Sequence, residues 1–349
     1  MSLTLSSLAE PIICAPMAGG PSSPQLVAAV SAAGGLGMLA AGYRTPDQVS
    51  EQIAAVRALT TAPFGVNVFL PTGGVVDAAE LAAYAGGLPG SPRPAGPADD
   101  DDHFAAKVEL LCREQVPLVS FAFGTPPAAT VEQLHEAGAS VLVTVTDPAD
   151  AEAAEAVGAD AVIAQGIEAG GHRGGVSDLP GAGEYGLLAL LRLVSGRCGL
   201  PIVAAGGICD GPSLAAALLA GAVAGQLGTA FLRCPEAGTN AVHRAAIGSA
   251  RDTTLTRAFT GRQARALVNE FTARYAETPV PRHGYPAVHQ LTAPMRAKAV
   301  VDGDPERLHL WAGQAHRLSR AEPAGELVHE LGAAARQTLV SAAQRAYGW

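Results

Sequence analysis

The sequence predicts an α/β fold, a (β/α)8 TIM barrel followed by a helical C-terminal cap. Short apolar segments rich in Val, Ile and Ala alternate with helix-like segments, which is the pattern of βα units around a parallel sheet. Eight such segments are present, and this number favours a closed barrel over a doubly wound sheet. A doubly wound dinucleotide-binding fold would also have G-x-G-x-x-G after its first strand, and Gly35, Gly37 and Gly42 lack that spacing.

Each predicted strand ends at Gly, Pro or a polar residue, as strands of a parallel sheet do where a loop begins. The strands are predicted at residues 11–17, 35–41, 64–69, 118–123, 140–145, 161–165, 201–205 and 223–227. Helices are predicted at residues 23–33, 46–59, 130–137, 148–157, 186–194 and 213–220. Several of these helices end at a glycine, where a left-handed cap needs no Cβ.

The composition is that of a globular protein without an excess of basic residues. Of the 349 residues 48% are hydrophobic and only 5% are aromatic, which suits helices packed closely on a parallel sheet. The formal net charge of −9 disfavours nucleic acid or an anionic membrane as the main partner. A local basic pocket for a phosphate group remains compatible with this charge.

The cysteines and the N-terminal sequence predict a soluble protein in the cytoplasm. The five cysteines are scattered, without a C-x-x-C pair or the spacing of a zinc site, so they are interpreted as buried thiols in a reducing compartment. No metal site is predicted. The first residues lack the basic start and apolar core of a signal peptide, and no apolar run is long enough to span a bilayer.

Two regions are predicted, a barrel at residues 1–235 and a cap with C-terminal helices at residues 236–349. Residues 86–102 are dense in Gly, Pro and Asp and are predicted to form a mobile surface loop. A metal-binding acidic patch at residues 99–102 is the weaker interpretation, because four consecutive carboxylates cannot all face one ion without a specific turn. The Pro-rich residues 278–286 are predicted to cover the mouth of the barrel, and residues 308–349 to pack as amphipathic helix against its wall.

In a (β/α)8 barrel the reactive groups gather at the carboxyl ends of the strands. The loops after the seventh and eighth predicted strands contain Gly206, Gly207, Gly228 and Thr229, and barrels often bind a phosphate group at this place through backbone N–H groups. Glycine after a strand is also common in ordinary turns. Two glycine-rich loops at the two expected strands favour the phosphate site.

His172 is the strongest candidate for a catalytic residue. Glycines at positions 170, 171, 174 and 175 surround it, which predicts a flexible backbone with little steric cover over the imidazole. Histidine has the unperturbed pKa best suited to proton abstraction near neutral pH. A histidine in a glycine-rich loop is more often a hydrogen-bonding or surface residue, and the adjacent Arg173 can equally be a solvated charge. The other eight histidines, His283 and His289 among them, have no comparable setting.

Two neutral amides and a methionine also lie at predicted strand ends. Asn67 and Gln165 are suited to hydrogen-bond the donors and acceptors along a flavin ring, and Met17 to pack on that ring. Turn capping for the amides and core filling for Met17 are the alternative interpretations.

Seven motifs, taken together, make the chain similar to the nitronate monooxygenases, formerly called 2-nitropropane dioxygenases. The barrel contains five of them in order: PIICAPMAGG, GVNVF, AQGIEAGGHRG, AAGGI and QLGTAF. The remaining two, TRAFTGRQAR at residues 256–265 and WAGQ at residues 311–314, extend the resemblance over nearly the whole chain. The EAGGHRG segment is specific to a small flavoprotein superfamily, whereas the glycine pairs are not.

The resemblance implies an FMN-containing barrel that oxidises alkyl nitronates with O2 to carbonyl compounds and nitrite. Nitroalkanes are a further candidate substrate. His172 would be the base that removes the proton from the carbon beside the nitro group, and the flavin would accept an electron from the nitronate and pass it to O2. The residues implied to contact FMN are Met17, Asn67, Gln165, Gly170, Gly171, Gly206, Gly207, Gln226, Leu227, Gly228 and Thr229. The chain departs from the family pattern at Cys14, where Gln is common, and in residues 86–102.

Two other functions stay open at this point. A flavin reductase of the same superfamily, either an enoyl-acyl-carrier-protein reductase or an NADH:quinone reductase, also has a Gly-Gly-His loop but needs NAD(P)H as the electron donor. A flavin-binding module without catalysis, such as a sensor, would bind FMN without turnover, although a sensor has no need of a base beside the flavin. The oligomeric state is not predicted.

Overall fold

A closed barrel of eight parallel strands forms the centre of the computed structural model, which describes residues 5–93, 101–177, 179 and 181–346. The last barrel strand pairs with the first, with Gln226 opposite Ile13, and this pairing closes the barrel. The predicted fold class is therefore confirmed, and every predicted strand is present. The barrel strands are β1 Ile12–Cys14, β2 Leu36–Ala40, β3 Phe64–Phe69, β4 Leu118–Ala122, β5 Ser140–Val145, β6 Ala161–Gln165, β8 Ile202–Ala205 and β9 Ala224–Leu227.

Side chains alternate along each barrel strand between the interior and the surrounding helices, because successive Cβ atoms point to opposite faces of a strand. Ile13, Met38 and Ile163 belong to the apolar cluster inside the barrel. Ile12 and Cys14, on either side of Ile13, belong to the larger cluster between the barrel and its helices. The interior is thus filled by side chains, as is usual for an eight-stranded barrel.

The helices between the barrel strands surround the barrel, and their ends follow local sequence signals. The second helix begins after Thr45, whose hydroxyl accepts from the backbone N–H of Gln48, while the Gln48 side chain accepts from the N–H of Thr45. The sequence analysis missed the third and fourth helices. The helices are α1 Pro24–Ala32, α2 Pro46–Leu59, α3 Ala78–Gly87, α4 Phe104–Arg113, α5 Ala128–Glu136, α6 Pro148–Ala156, α7 Leu187–Ser195 and α8 Gly211–Leu219.

The region after the barrel contains strands as well as helices. A second sheet, of three antiparallel strands in the order β10, β11, β7, consists of β7 Gly171–His172, β10 Thr253–Thr256 and β11 Ala264–Leu267. The helices of this region are α9 Ala241–Ile247, α10 Glu270–Arg274, α11 Ala287–Asp302 and α12 Ala324–Ala346. The cap contains the predicted helices and, in addition, two strands that form one sheet with the strand that contains His172. The last helix, α12, packs against α1 and α8 on the barrel wall, as expected.

The segment predicted as a mobile loop is only partly described. Gly86 and Gly87 end α3, and residues 94–100 lie outside the described residues, so the prediction of mobility stays untested. The side chain of Asp102 forms an ion pair of 2.7 Å with the buried Nζ of Lys107 and accepts a hydrogen bond from the backbone N–H of Tyr43. Across the described ranges, no three metal-ligating side chains form a group. In the same ranges, no helix has both the length and the apolar character needed to cross a membrane.

Candidate active site

The residues predicted for the site all lie at the carboxyl-terminal end of the barrel, because the parallel strands all end on that side. Asn67, Gln165 and Gln226 follow the interior positions of their strands by two residues. They therefore form a polar layer directly above the apolar interior. Ser120 and Thr144 belong to the same layer by the same alternation, and the sequence analysis did not single them out.

The amides of this polar layer differ in their hydrogen bonds. The Asn67 amide nitrogen donates to the backbone oxygen of Ser120 at 3.1 Å and to its hydroxyl at 2.9 Å. Both polar atoms of Gln165 hold the loop that contains His172: Nε2 donates to the His172 oxygen at 3.0 Å, and Oε1 accepts from the Gly174 N–H at 2.9 Å. The Oε1 atom of Gln226 is buried and has no hydrogen-bond partner among the described residues. A buried acceptor in this state is usually paired with a donor from an ordered water or a bound molecule.

The glycine-rich loops after β8 and β9 provide a place where backbone N–H groups are accessible. Gly206 and Gly207 have φ of +108° and +71°, conformations that residues with a Cβ rarely adopt. A Cβ at Gly228 would lie 3.6 Å from Sδ of Met17, so Met17 borders this loop. The hydroxyl of Thr229 accepts from the N–H of Gly313 at 3.0 Å and keeps its own hydrogen to donate.

Leu227, Gly170 and Gly171, which are also predicted to contact FMN, differ in their surroundings. The Leu227 side chain belongs to the cluster between barrel and helices, so only its backbone faces the loops. A Cβ at Gly170 would lie 2.6 Å from the carbonyl carbon of Ala312, which shows that residues 311–314 pack directly on this loop. Gly171 has φ of +75° and open space where a Cβ would be.

The structure holds the His172 segment firmly on both sides. His172 pairs with Ala264 in the antiparallel sheet, and the neighbouring N–H of Arg173 donates to the oxygen of Gln263 at 2.9 Å. Gly174 approaches Thr144 so closely that a Cβ would lie 2.6 Å from the threonine methyl carbon. The expected flexible backbone was wrong: these glycines permit close packing, and the strand pairing fixes the imidazole.

The imidazole of His172 has one polar partner and several aromatic neighbours. Its Nε2 lies 2.9 Å from the hydroxyl of Thr260. The rings of Phe123, Tyr285 and Trp311 have their centres 5.9, 5.7 and 5.4 Å from that of the imidazole. The histidine is half-buried. It therefore lies in a largely apolar environment with one hydroxyl group to orient it.

Buried arginines place positive charge around His172. Arg173 is only 1% exposed and donates three hydrogen bonds to backbone oxygens, so its interpretation as a solvated charge was wrong. The guanidinium carbon of Arg262 lies 4.2 Å from the centre of the Phe123 ring. Burial, and then the charges of Arg262, His289 and Arg296, lower the pKa of His172 well below its usual value. His172 is consequently neutral at pH 7 and able to accept a proton.

His289 also belongs to this region, although the sequence analysis set it aside. Its ring stacks on that of Tyr43, with centres 4.2 Å apart and planes within 6° of parallel. Arg296 donates to its backbone oxygen at 2.8 Å. Burial, followed by the charge of Arg296, lowers the pKa of His289 to about 3. The Tyr43 hydroxyl in turn accepts from the hydroxyl of Tyr285 at 3.0 Å, which links this pair to the ring beside His172.

The residues missed by the sequence analysis come from segments that it used in another way. Thr260 and Arg262 lie in the TRAFTGRQAR motif, and Trp311 lies in WAGQ. Both motifs had been used only to establish a family resemblance. The family motifs after the barrel, TRAFTGRQAR and WAGQ, were the available signal. They indicated that these segments matter to the family, but not that they lie beside His172.

Comparisons with known proteins agree along nearly the whole chain. A family model described as nitronate monooxygenase matches residues 2–333. A nitronate monooxygenase of Paraburkholderia phytofirmans is 41% identical over 349 aligned residues, which cover 97% of this chain and 95% of that protein. One of Pseudomonas aeruginosa is 42% identical over 340, covering 94% and 96%.

Two solved structures extend this similarity to the fold. Nitroalkane oxidase from Streptomyces ansochromogenes superposes with a TM-score of 0.91 at 46% identity, covering 97% of this chain and 99% of that one. FabK from Thermotoga maritima superposes with a TM-score of 0.78 at 31% identity, covering 98% and 97%. The similarity to the first of these structures is thus greater in both sequence and shape.

Proposed function

The chain belongs to the nitronate monooxygenase family, and from this premise we propose that it uses FMN and His172 to oxidise alkyl nitronates. The products are a carbonyl compound and nitrite, and O2 is the oxidant. Neutral nitroalkanes are substrates to the extent that His172 converts them to nitronates. The proposed partners are these small molecules, with no nucleic acid among them, and the proposed location is the cytoplasm.

The residues at the carboxyl-terminal end of the barrel fit FMN. The loops with Gly206, Gly207 and Gly228 offer backbone N–H groups to a phosphate group at the two strands where barrels commonly bind one. Gln226 has a buried acceptor that needs a donor, and a flavin ring has N–H groups to offer. Met17 and Asn67 border the same space from β1 and β3. We therefore assign the phosphate to the loops after β8 and β9 and the ring to the polar layer.

The bound FMN would supply an electron acceptor that O2 can reoxidise. His172 would take the proton from the carbon beside the nitro group, which leaves the electron pair of the broken C–H bond in the nitronate. The buried guanidinium groups of Arg262 and Arg296 favour the negative charge that develops in this step. Burial, together with these positive charges, lowers the pKa of His172 and keeps the imidazole neutral before the substrate binds.

One observation supports this assignment above the others. A neutral, half-buried imidazole lies between the glycine-rich loops and three aromatic rings, on a segment that strand pairing holds in place. Such a group suits general-base catalysis, and the aromatic rings exclude water from its surroundings.

His172→Asn tests the assignment. We expect the variant to keep the absorption spectrum of bound oxidised flavin but to turn over a neutral nitroalkane about 100-fold more slowly, or worse, which is the usual scale for loss of a general base. Turnover of a nitronate prepared in advance should fall much less, because its proton has already been removed. His329→Asn, the same change on the exposed face of α12, is the control and should match the unaltered protein.

Equal losses on nitroalkane and nitronate would show that His172 does not act as the base. A preparation that neither contains nor binds FMN would refute the cofactor assignment independently of His172.

The alternative with specific support is an NAD(P)H-dependent flavin reductase, since FabK is also similar over nearly the whole chain. Mixing the flavin-loaded protein anaerobically with NADH or NADPH, and separately with nitronate, distinguishes the two. Nitronate should bleach the flavin absorbance rapidly and NAD(P)H slowly. Rapid bleaching by NAD(P)H alone would favour the reductase, and bleaching by neither, with FMN bound, would favour a binding module.

A further inference from the structure

The hydroxyl of Thr260 has three polar neighbours and only one hydrogen. It lies 3.2 Å from the backbone oxygen of Arg262, 3.4 Å from the backbone nitrogen of Arg262 and 2.9 Å from Nε2 of His172. A hydroxyl group donates once and accepts through two lone pairs. The Arg262 nitrogen must donate and the Arg262 oxygen must accept. The single hydrogen of Thr260 therefore satisfies all three neighbours only when it points to the Arg262 oxygen and His172 donates.

From this hydrogen-bond pattern we infer that Thr260 is a positioning residue that keeps His172 protonated at Nε2 and leaves Nδ1 as the nitrogen that accepts the substrate proton. The inference rests on the proposed function, because it specifies which atom of the proposed base reacts. Among the described residues the structure gives Nδ1 no hydrogen-bond partner, so its lone pair is available to a bound molecule.

The opposite arrangement would lose one of these three hydrogen bonds. If Thr260 donated to Nε2, the backbone oxygen of Arg262 would lose its hydrogen bond to that hydroxyl, at a residue that is 3% exposed. Thr260 itself is 1% exposed, so water does not compensate. A buried hydrogen bond contributes to stability, so the tautomer that keeps all three contacts is favoured.

The turn that contains Thr260 is held in place by its own packing. The N–H groups of Thr260 and Gly261 both donate to the oxygen of Arg257, at 3.2 and 2.7 Å. Gly261 has φ of +87°, and a Cβ there would lie 2.7 Å from the backbone nitrogen of Tyr285. The hydroxyl is therefore fixed relative to both the imidazole and the ring of Tyr285.

The proton transfer balances without rearrangement of the hydroxyl. The C–H bond beside the nitro group breaks, its electron pair remains in the nitronate, and a new N–H bond forms at Nδ1. His172 then has protons on both nitrogens, and Nε2 continues to donate to Thr260. Because the acceptor is in place before and after the step, the reaction requires no reorientation of this neighbour.

Several charged and titratable groups face His172 in addition to Thr260. Arg262 lies on the segment before β11, and His309 lies two residues before Trp311. Tyr285 precedes α11, whereas His289 and Arg296 lie on that helix. All except Tyr285 are cationic or become so on protonation, and they disfavour a second proton on the imidazole. The Thr260 oxygen is the neighbour that stabilises the protonated form directly, through the hydrogen bond to Nε2.

Thr260→Val removes the hydroxyl with little change in volume, and Thr260→Ser retains it. We expect the valine variant to lower kcat/KM for a neutral nitroalkane by about 10- to 100-fold, the scale found when a metal-bound histidine loses the hydrogen-bond partner that orients it. Its kcat for preformed nitronate should change little. The acidic limb of the pH profile for nitroalkane should move to lower pH, since the protonated imidazole loses its acceptor. The serine variant should restore both the rate and the profile.

Nitrogen NMR gives a readout that does not depend on activity. In flavin-loaded protein labelled with 15N-histidine, two-bond 1H–15N correlations distinguish a protonated ring nitrogen from one with a lone pair, and the signals absent from His172→Asn identify residue 172. The expected spectrum at pH 7 shows Nε2 protonated and Nδ1 unprotonated. Protonation at Nδ1, a mixture of tautomers or a doubly protonated ring would overturn the inference, even if a variant failed to fold.

Failure of this inference is distinguishable from failure of the proposed function. If Thr260→Val matches the unaltered protein on nitroalkane while His172→Asn is impaired, His172 is still the base and Thr260 does not position it. If His172→Asn retains full activity on nitroalkane, the proposed base itself is wrong.

Discussion

At the scale of single residues, three amides at the ends of barrel strands have different roles although they look alike in the sequence. Gln165 uses both polar atoms to hold the His172 loop. Asn67 binds Ser120 on the adjacent strand through its nitrogen. Gln226 has a buried oxygen with no partner among the described residues. Gln226 is therefore the amide with the clearest requirement for a ligand.

Gln226→Leu should affect the protein in opposite directions with and without the cofactor. In the FMN-free protein, replacing a buried unsatisfied acceptor with an apolar side chain of similar size is expected to leave the thermal unfolding temperature equal or higher. FMN should bind roughly 3- to 10-fold more weakly, because one hydrogen bond contributes about 0.5–1.5 kcal/mol. Titration of the FMN-free protein, followed by flavin fluorescence, measures the affinity.

Gln133→Leu, on the exposed face of α5, makes the same chemical change away from the site and should leave FMN affinity unaltered. Unchanged FMN affinity in Gln226→Leu would mean that the Gln226 oxygen has no donor in the bound flavin.

The sequence was sufficient for residues whose role depends on their place along one strand. His172 and Gly206 follow barrel strands and Gln226 lies near the end of one, and the carboxyl ends of those strands are predictable from local patterns. Thr260 and Trp311 were not found because their proximity to His172 depends on how the chain folds back over the barrel after residue 235. No local pattern contains that information.

At the scale of secondary structure elements, the barrel strands were predictable because each is a short apolar run ended by a turn residue. The helices α3 and α4 were missed because they flank a segment dense in Gly, Pro and Asp, which dominated the interpretation of the region. The strands β10 and β11 were missed for another reason. They are four residues long, and β7, which pairs with β11, is distant in the sequence. Arg, Thr and Ala in these strands also have mixed propensities.

The contact between α8 and α12 leads to a prediction about the C-terminal helix. A Cβ at Gly211, the first residue of α8, would lie 2.7 Å from the carbonyl carbon of Ala334 in α12. Gly211→Ala should therefore push the two helices apart and lower the free energy of unfolding by about 1–3 kcal/mol, as overpacking usually does. Alanine favours helices intrinsically, so the expected loss comes from packing alone.

Urea unfolding measures this loss, and Gly196→Ala is the matched control. Gly196 ends α7 with an ordinary backbone conformation, and its nearest neighbour would be 3.6 Å from a new Cβ. That variant should stay within about 0.5 kcal/mol of the unaltered protein. A Gly211→Ala protein as stable as this control would show that α12 adjusts its position at little cost.

At the scale of the whole molecule, the segments after the barrel bring buried histidines to one end of it. Nε2 of His243 on α9 donates to the Trp311 backbone oxygen at 2.9 Å, and His309 lies two residues before that tryptophan. Burial lowers the pKa of His243 to about 4. Burial, followed by the charge of Arg296, lowers the pKa of His309 well below its usual value. Together with His172 and His289, these groups connect the stability of the fold to pH.

These histidines predict a loss of stability as the pH falls below about 6.5. In the unfolded chain each would have a pKa near 6.5, whereas in the folded protein His243 titrates at about 4 and His289 at about 3. Between those values the unfolded state binds more protons. The contribution of these histidines to the free energy of unfolding is therefore complete above pH 6.5 and falls by up to roughly 1.4 kcal/mol per pH unit for each histidine.

Urea unfolding at pH 7.5, 6.5 and 5.5, at saturating FMN, measures this slope. The variant His243→Asn should reduce the slope, and the exposed His329→Asn should not. Constant stability from pH 7.5 to 5.5 would mean that these histidines titrate in the folded protein as they do in the unfolded chain.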